Sequence, residues 1–204
     1  CEVMSENFAR YGLNITPDAC MHTFAGGKMS AIGERARELG AQLPADWIDE
    51  IYAEIFARLE QGVPVVEGVL DVLDRLEDAG IPFCVASNGS EDKMAITLGG
   101  HGILTRFEGA VFSAHTVGVW KPEAGLFQHA ARAMGVTSAE CVVIEDSPTG
   151  AVAARRAGMP CLGFAPDGIG MRLQQEGARI FDHMGALPAL LRLDDPLPRR
   201  CRDF

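Results

Sequence analysis

Three short segments of this sequence carry groups that together suit phosphoryl chemistry. In Val142-Val143-Ile144-Glu145-Asp146-Ser147-Pro148-Thr149-Gly150, an apolar run delivers two adjacent carboxylates. Two acids at the rim of a buried strand repel each other unless a cation lies between them. Mg²⁺ is the fitting ion, because it takes hard oxygen ligands and keeps several waters. The competing reading is a pair of acids complementing a helix dipole. In Val85-Ala86-Ser87-Asn88-Gly89-Ser90, an apolar run ends in a hydroxyl and an amide, and Ser90 can cap the helix that follows. A hydroxyl and backbone N–H groups at Ser87, Asn88 and Gly89 make a phosphate cradle, although ordinary strand-to-helix turns use the same residues. In Trp120-Lys121-Pro122-Glu123, Pro122 suits the first turn of a helix, so Lys121 sits where the dipole disfavours a cation. An ammonium there is either solvated or held for an anion.

Positioning these groups takes several strands of one sheet. Short apolar runs at Pro82 to Ser87, Ala110 to Ser113, Cys141 to Ile144, Cys161 to Phe164 and, more weakly, Ala178 to Phe181 read as strands. Helical patterns lie between most of them, at 91–99, 122–134 and 148–157, and another spans Glu67 to Ala79, where Gly80 stops it. Strands alternating with helices imply an α/β, Rossmann-like parallel sheet with helices on both faces, whose ligands bind at the carboxyl ends of the strands. Residues 1–62 read differently. Met4, Phe8 and Tyr11 follow helical spacing, Trp47, Ile51 and Ile55 make a second stripe, and Gln61-Gly62-Val63-Pro64 breaks the pattern. The organisation expected is a small α-helical domain over 1–62 and the α/β core over 63–204.

The 204 residues suffice for such a core with a small added domain. A net charge of -10 repels a phosphate backbone, so a nucleic-acid partner is not expected. No apolar run is long enough for a membrane span and no signal peptide is visible, so no membrane partner is expected either. None of the six cysteines forms a C-x-x-C pair, and Cys84, Cys141 and Cys161 lie in apolar runs. They read as small core hydrophobes in a reducing, cytoplasmic setting.

Hydroxyl, lysine and carboxylate pair, in that order on three strands, resemble the haloacid dehalogenase superfamily, in the subgroup with a helical cap that includes β-phosphoglucomutase and sugar-phosphate phosphatases. Ser87 and Asn88 match its second motif, Lys121-Pro122 its third, and Glu145-Asp146-Ser147 with Gly150 its fourth. Residues 1–62 match the cap. The stretch from Phe112-Ser113 through Trp120-Lys121-Pro122 to Met134 looks closest to 6-phosphogluconate phosphatase-like members. The resemblance implies a Mg²⁺-dependent phosphatase acting on a small sugar or sugar-acid phosphate through an aspartyl-phosphate intermediate. Ser87 and Lys121 would be catalytic, Ser87, Asn88 and Gly89 would hold phosphoryl oxygens, and Glu145 and Asp146 would hold the metal. His22, Gly27 and Lys28 of the cap would contact the leaving group. The partner is then a small phosphorylated metabolite, and the protein a monomer or weak dimer.

One family motif is missing. D-x-D-G, which supplies the nucleophile and the acid/base, occurs nowhere in the 204 residues. Ile180-Phe181-Asp182-His183 lacks the second aspartate and reads as an ordinary last strand. The chain as given is therefore expected to be an inactive fragment with a gap in its sheet. The alternatives are a β-phosphoglucomutase-like phosphomutase and a non-catalytic binding module. The carboxylate pair argues against a 2-haloacid dehalogenase, which needs no metal.

Overall fold

A computed structural model of the chain describes residues 1–24, 28–100, 102–166 and 170–193. In chain order the helices and strands are α1 (Glu2–Arg10), α2 (Pro17–Phe24), α3 (Met29–Glu38), α4 (Trp47–Glu60), α5 (Val69–Asp78), β1 (Val85–Ser87), α6 (Glu91–Gly99), β2 (Val111–Ser113), α7 (Ala114–Val117), α8 (Gly125–Ala133), β3 (Val143–Glu145), α9 (Pro148–Ala157), β4 (Cys161–Phe164), α10 (Gly170–Gln175), β5 (Arg179–Phe181) and α11 (Leu187–Leu190). By packing they fall into two compact units. The first comprises Cys1–Val63 with Gly89–Arg106, and the second Pro64–Asn88 with the described residues from Phe107 onward.

The first unit is all helical. Phe8 on α1, Cys20 and Phe24 on α2, Ile32 and Ala36 on α3, and Trp47 and Ile51 on α4 share one apolar core. Phe8 stacks on Trp47 with ring centroids 5.7 Å apart. Asn7 is fully buried in this core. Its carbonyl accepts from Trp47 Nε1 at 2.7 Å, and its amide donates to Glu50 at 3.2 Å and Glu54 at 3.3 Å. Arg10 and Tyr11 close the same network on the two glutamates. Both the carbonyl and the amide of Asn7 thus have partners, as burial demands.

The second unit is α/β with parallel strands, as the alternating pattern predicts. Its strands form two ladders, β1 with β2 and β3-β4-β5. In the first, Ser87 pairs in register with Ser113, and in the second Glu145 pairs with Gly163. Both ladders therefore end, at their carboxyl ends, in the residues singled out for chemistry. Phe127 and Ala131 of α8, Val143 of β3, and Ala153, Ala154 and Ala157 of α9 bury together, with Ala86 of β1 packed against them. The alanine face of α9 lets that helix lie close on the strands. Four strands are shorter than their apolar runs, because ladder pairing begins only at Val85, Val111, Val143 and Arg179.

The core of the first unit turns on the Trp47–Asn7 hydrogen bond. Trp47→Ala should cost about 3–5 kcal/mol of stability. Trp47→Phe, which keeps an aromatic ring, should still cost about 1–3 kcal/mol, because a buried carbonyl loses its donor. Urea unfolding of the two variants checks both values, and a neutral Trp47→Phe would contradict this account of the network.

Candidate active site

The site is built at the end of β3. The strand alternates buried, exposed, buried over Val143, Ile144 and Glu145, so its period of two turns the glutamate inward at its last position. Glu145 is 7% exposed, whereas Asp146, one residue beyond the strand, is exposed. Ser147 caps α9: its Oγ accepts from the Gly150 backbone N–H at 3.1 Å and donates to Glu145 Oε2 at 2.8 Å. Pro148 opens the helix, where its missing N–H costs nothing.

The other carboxylate oxygen, Oε1, is paired with Lys121 Nζ, and both side chains are nearly sealed from solvent. The lysine stem also places Nζ 5.1 Å from the centre of the Phe127 ring. The main chain of Lys121 is clamped. Its N–H donates to Asn88 Oδ1 at 2.8 Å, and its carbonyl accepts from Asn88 Nδ2 at 3.2 Å. From the far side, Arg156 of α9 donates to Pro122 O at 3.1 Å and pairs with Glu123 at 2.7 Å. The turn that carries Lys121 is thus tied both to the end of β1 and to α9.

Of the residues expected at the site, the structure brings Asn88, Lys121 and Glu145 into one hydrogen-bonded group. Ser87 is the last residue of β1, immediately before Asn88. Asp146 adjoins Glu145 in sequence but makes no hydrogen bond or ion pair among the described residues. Gly89 packs with the first unit, as do His22 and Lys28. Both of these are exposed, and His22 Nδ1 lies 2.7 Å from Asp18 O, so the ring donates there. Gly27 lies outside the described residues.

One local expectation is corrected. Helix α8 begins at Gly125, not at Pro122, because a tight turn closed by Glu123 N–H to Trp120 O at 2.9 Å occupies residues 120–123. Lys121 therefore sits within a turn and not directly before a helix. The Asn88 amide, read as a phosphate ligand, has its carbonyl and one N–H committed to the Lys121 main chain.

Arg156, which holds the Lys121 turn from α9, was not singled out by the sequence reading. Gly150, matched there only as part of a motif, is tightly constrained, because a Cβ built on it would collide with the Glu145 carboxylate. Nearby thiols are chemically quiet. Burial pushes Cys84 up to about 11, and burial with the neighbouring Glu145 charge pushes Cys161 up to about 11. Neither is a thiolate near neutral pH.

The donor set fits Mg²⁺. Glu145 and Asp146, adjacent in sequence, both offer hard carboxylate oxygens, and Mg²⁺ commonly takes one or two protein carboxylates while keeping waters. The described residues hold no group of three or more His, Cys, Asp or Glu that could form an all-protein cage.

The family model of haloacid dehalogenase-like hydrolases matches residues 2–158. The chain is 30% identical over 185 residues to the 6-phosphogluconate phosphatase of Escherichia coli, covering 90% of this chain and 82% of that one. The fold matches a conserved haloacid dehalogenase-like protein from Agrobacterium tumefaciens with a TM-score of 0.82 at 29% identity, over 96% of this chain and 90% of that one. It also matches the β-phosphoglucomutase of Clostridium difficile, with a TM-score of 0.79 at 17% identity, over 94% of this chain and 87% of that one.

Gly150→Ala separates the steric account from ordinary helix propensity. In an unobstructed helix the change should stabilise by about 1 kcal/mol. Here the new methyl must evict Glu145 from its buried pair, a loss of about 3–5 kcal/mol. A net destabilisation of roughly 2–4 kcal/mol is expected in chemical unfolding. In a Glu145→Ala background the sign should reverse. Stabilisation by Gly150→Ala alone would refute the contact.

Proposed function

Because the chain belongs to the haloacid dehalogenase-like hydrolases, we propose that it supplies the phosphate- and metal-binding groups of a Mg²⁺-dependent phosphatase for a small sugar or sugar-acid phosphate. The observation that carries this reading is the buried Lys121–Glu145 pair at the carboxyl end of β3, tied to Asn88 at the end of β1. A lysine and carboxylates gathered where two parallel ladders end are what a phosphoryl dianion and a hard cation require together.

Glu145 and Asp146 would hold Mg²⁺, which when bound neutralises phosphoryl charge as it develops. Ser87 Oγ and the backbone around Asn88 and Gly89 orient the phosphoryl oxygens. Lys121 Nζ offsets the negative charge that accumulates in transfer, and Asn88 and Arg156 keep its main chain in place. The acceptor is an aspartate: its carboxylate forms a bond to phosphorus, the ester P–O bond breaks, and the departing alkoxide takes a proton from an acid. Water then releases inorganic phosphate. D-x-D-G is absent from the 204 residues, so the chain alone transfers no phosphoryl group. The second reading keeps the same residues for a module that binds a phosphorylated ligand without turnover. Selection of the leaving group falls to the helical unit, where Lys28 suits a sugar-acid carboxylate and His22 a hydroxyl.

A phosphate-release screen tests this proposal, run on the 204-residue chain and on the same chain fused behind a D-x-D-G strand. The chain alone should release none. The fusion should prefer sugar and sugar-acid phosphates, with the ranking altered by Lys28→Ala. Lys121→Ala should lower kcat about 10²–10³-fold, as loss of one preorganised charge-stabilising donor does, while exposed Lys93→Ala should not. An inactive fusion that still binds phosphate favours the module, and a preference for phosphopeptides overturns the substrate class.

A further inference from the structure

Both oxygens of the Glu145 carboxylate are already engaged, Oε1 by Lys121 Nζ and Oε2 by Ser147 Oγ at 2.8 Å. A divalent cation that uses Glu145 must displace one of these partners. Ser147 is the less movable, because its Oγ also caps α9 through the Gly150 N–H. Lys121 is movable in only one way. Its main chain is pinned on both sides by Asn88 and its turn by Arg156, but a flexible four-carbon stem separates that anchor from the ammonium. A cation arriving at Glu145 therefore expels the ammonium and leaves the turn where it is.

The expelled ammonium then has no counter-charge, in surroundings where the lysine side chain is only 12% exposed. An unpaired charge so poorly solvated is costly. The anchor that prevents its escape is the Asn88 amide, which follows Ser87 directly at the end of β1. An anion bound there would restore the missing charge.

We infer that Lys121 is a counter-ion switch: it closes onto Glu145 when the site is empty, and turns to the anionic ligand when a divalent cation takes Glu145, so that cation and anion bind cooperatively. This rests on the proposed metal and phosphate site and goes beyond it by linking its two halves. Coupling of this kind is reciprocal, each ligand tightening the other by the same factor, typically about 5- to 150-fold. The Lys121–Glu145 pair neutralises itself, which is how Glu145 stays buried.

The experiment is isothermal titration of Mg²⁺ into the 204-residue chain with and without saturating inorganic phosphate, the heat of Mg²⁺–phosphate association in protein-free solution being subtracted. Phosphate should tighten Mg²⁺ binding at least about fivefold. In Lys121→Met, Mg²⁺ alone should bind more tightly than to the unaltered chain, since its competitor is gone, and phosphate should no longer tighten it. Glu145→Gln, which keeps the side-chain shape, should bind phosphate alone more tightly while losing the coupling, and it serves where Lys121→Met does not fold by circular dichroism. Equal Mg²⁺ affinity with and without phosphate overturns the switch. So does coupling that survives in Lys121→Met, which would mark direct metal–phosphate contact as its source. If Mg²⁺ binds, and Asp146→Asn weakens it, the proposed site stands even when the switch fails. Mg²⁺ binding indifferent to Asp146→Asn would remove both.

Discussion

Taking an ammonium and a carboxylate out of water costs several kcal/mol for each ion, and their attraction repays this only when geometry is good and the remaining donors and acceptors are satisfied. Lys121 and Glu145 meet that demand through their neighbours. Ser147 takes the second carboxylate oxygen, Asn88 and Arg156 hold the lysine's turn, and Phe127 offers its ring beside the ammonium. Gly150 leaves room for the carboxylate where any side chain would fill it. These contacts join β1, the turn before α8, β3 and α9, so the pair fixes the relation of the very elements that end at the site.

Much of this was readable from residue types. The apolar run before Glu145, the Ser-Pro start of α9 and the glycine that follows α5 are local signals, and each lies where it was expected. The helices of the first unit followed from the Trp47 and Phe8 stripes for the same reason. What escaped were relations between distant residues. Asn88 and Lys121 are 33 positions apart, and no periodicity reveals that an amide will clamp a main chain so far away. The burial difference between Glu145 and Asp146 depends on where β3 stops pairing with β4. The first residue of α8 was misplaced because proline is common both at helix starts and in turns, and the Trp120–Glu123 hydrogen bond decides between them. The strands are seen as two ladders, β1 with β2 and β3-β4-β5, where the sequence reading expected a gap in the sheet.

The central claim is that a divalent cation and a phosphoryl anion share one site around Lys121, Glu145 and Asp146. Paramagnetic relaxation of ³¹P by protein-bound Mn²⁺ tests it most directly, using inorganic phosphate and the 204-residue chain. The account predicts strong, saturable enhancement of phosphate relaxation in the unaltered chain and its loss in Asp146→Asn. Mn²⁺ and phosphate that both bind with no mutual enhancement would place them at separate sites and contradict it.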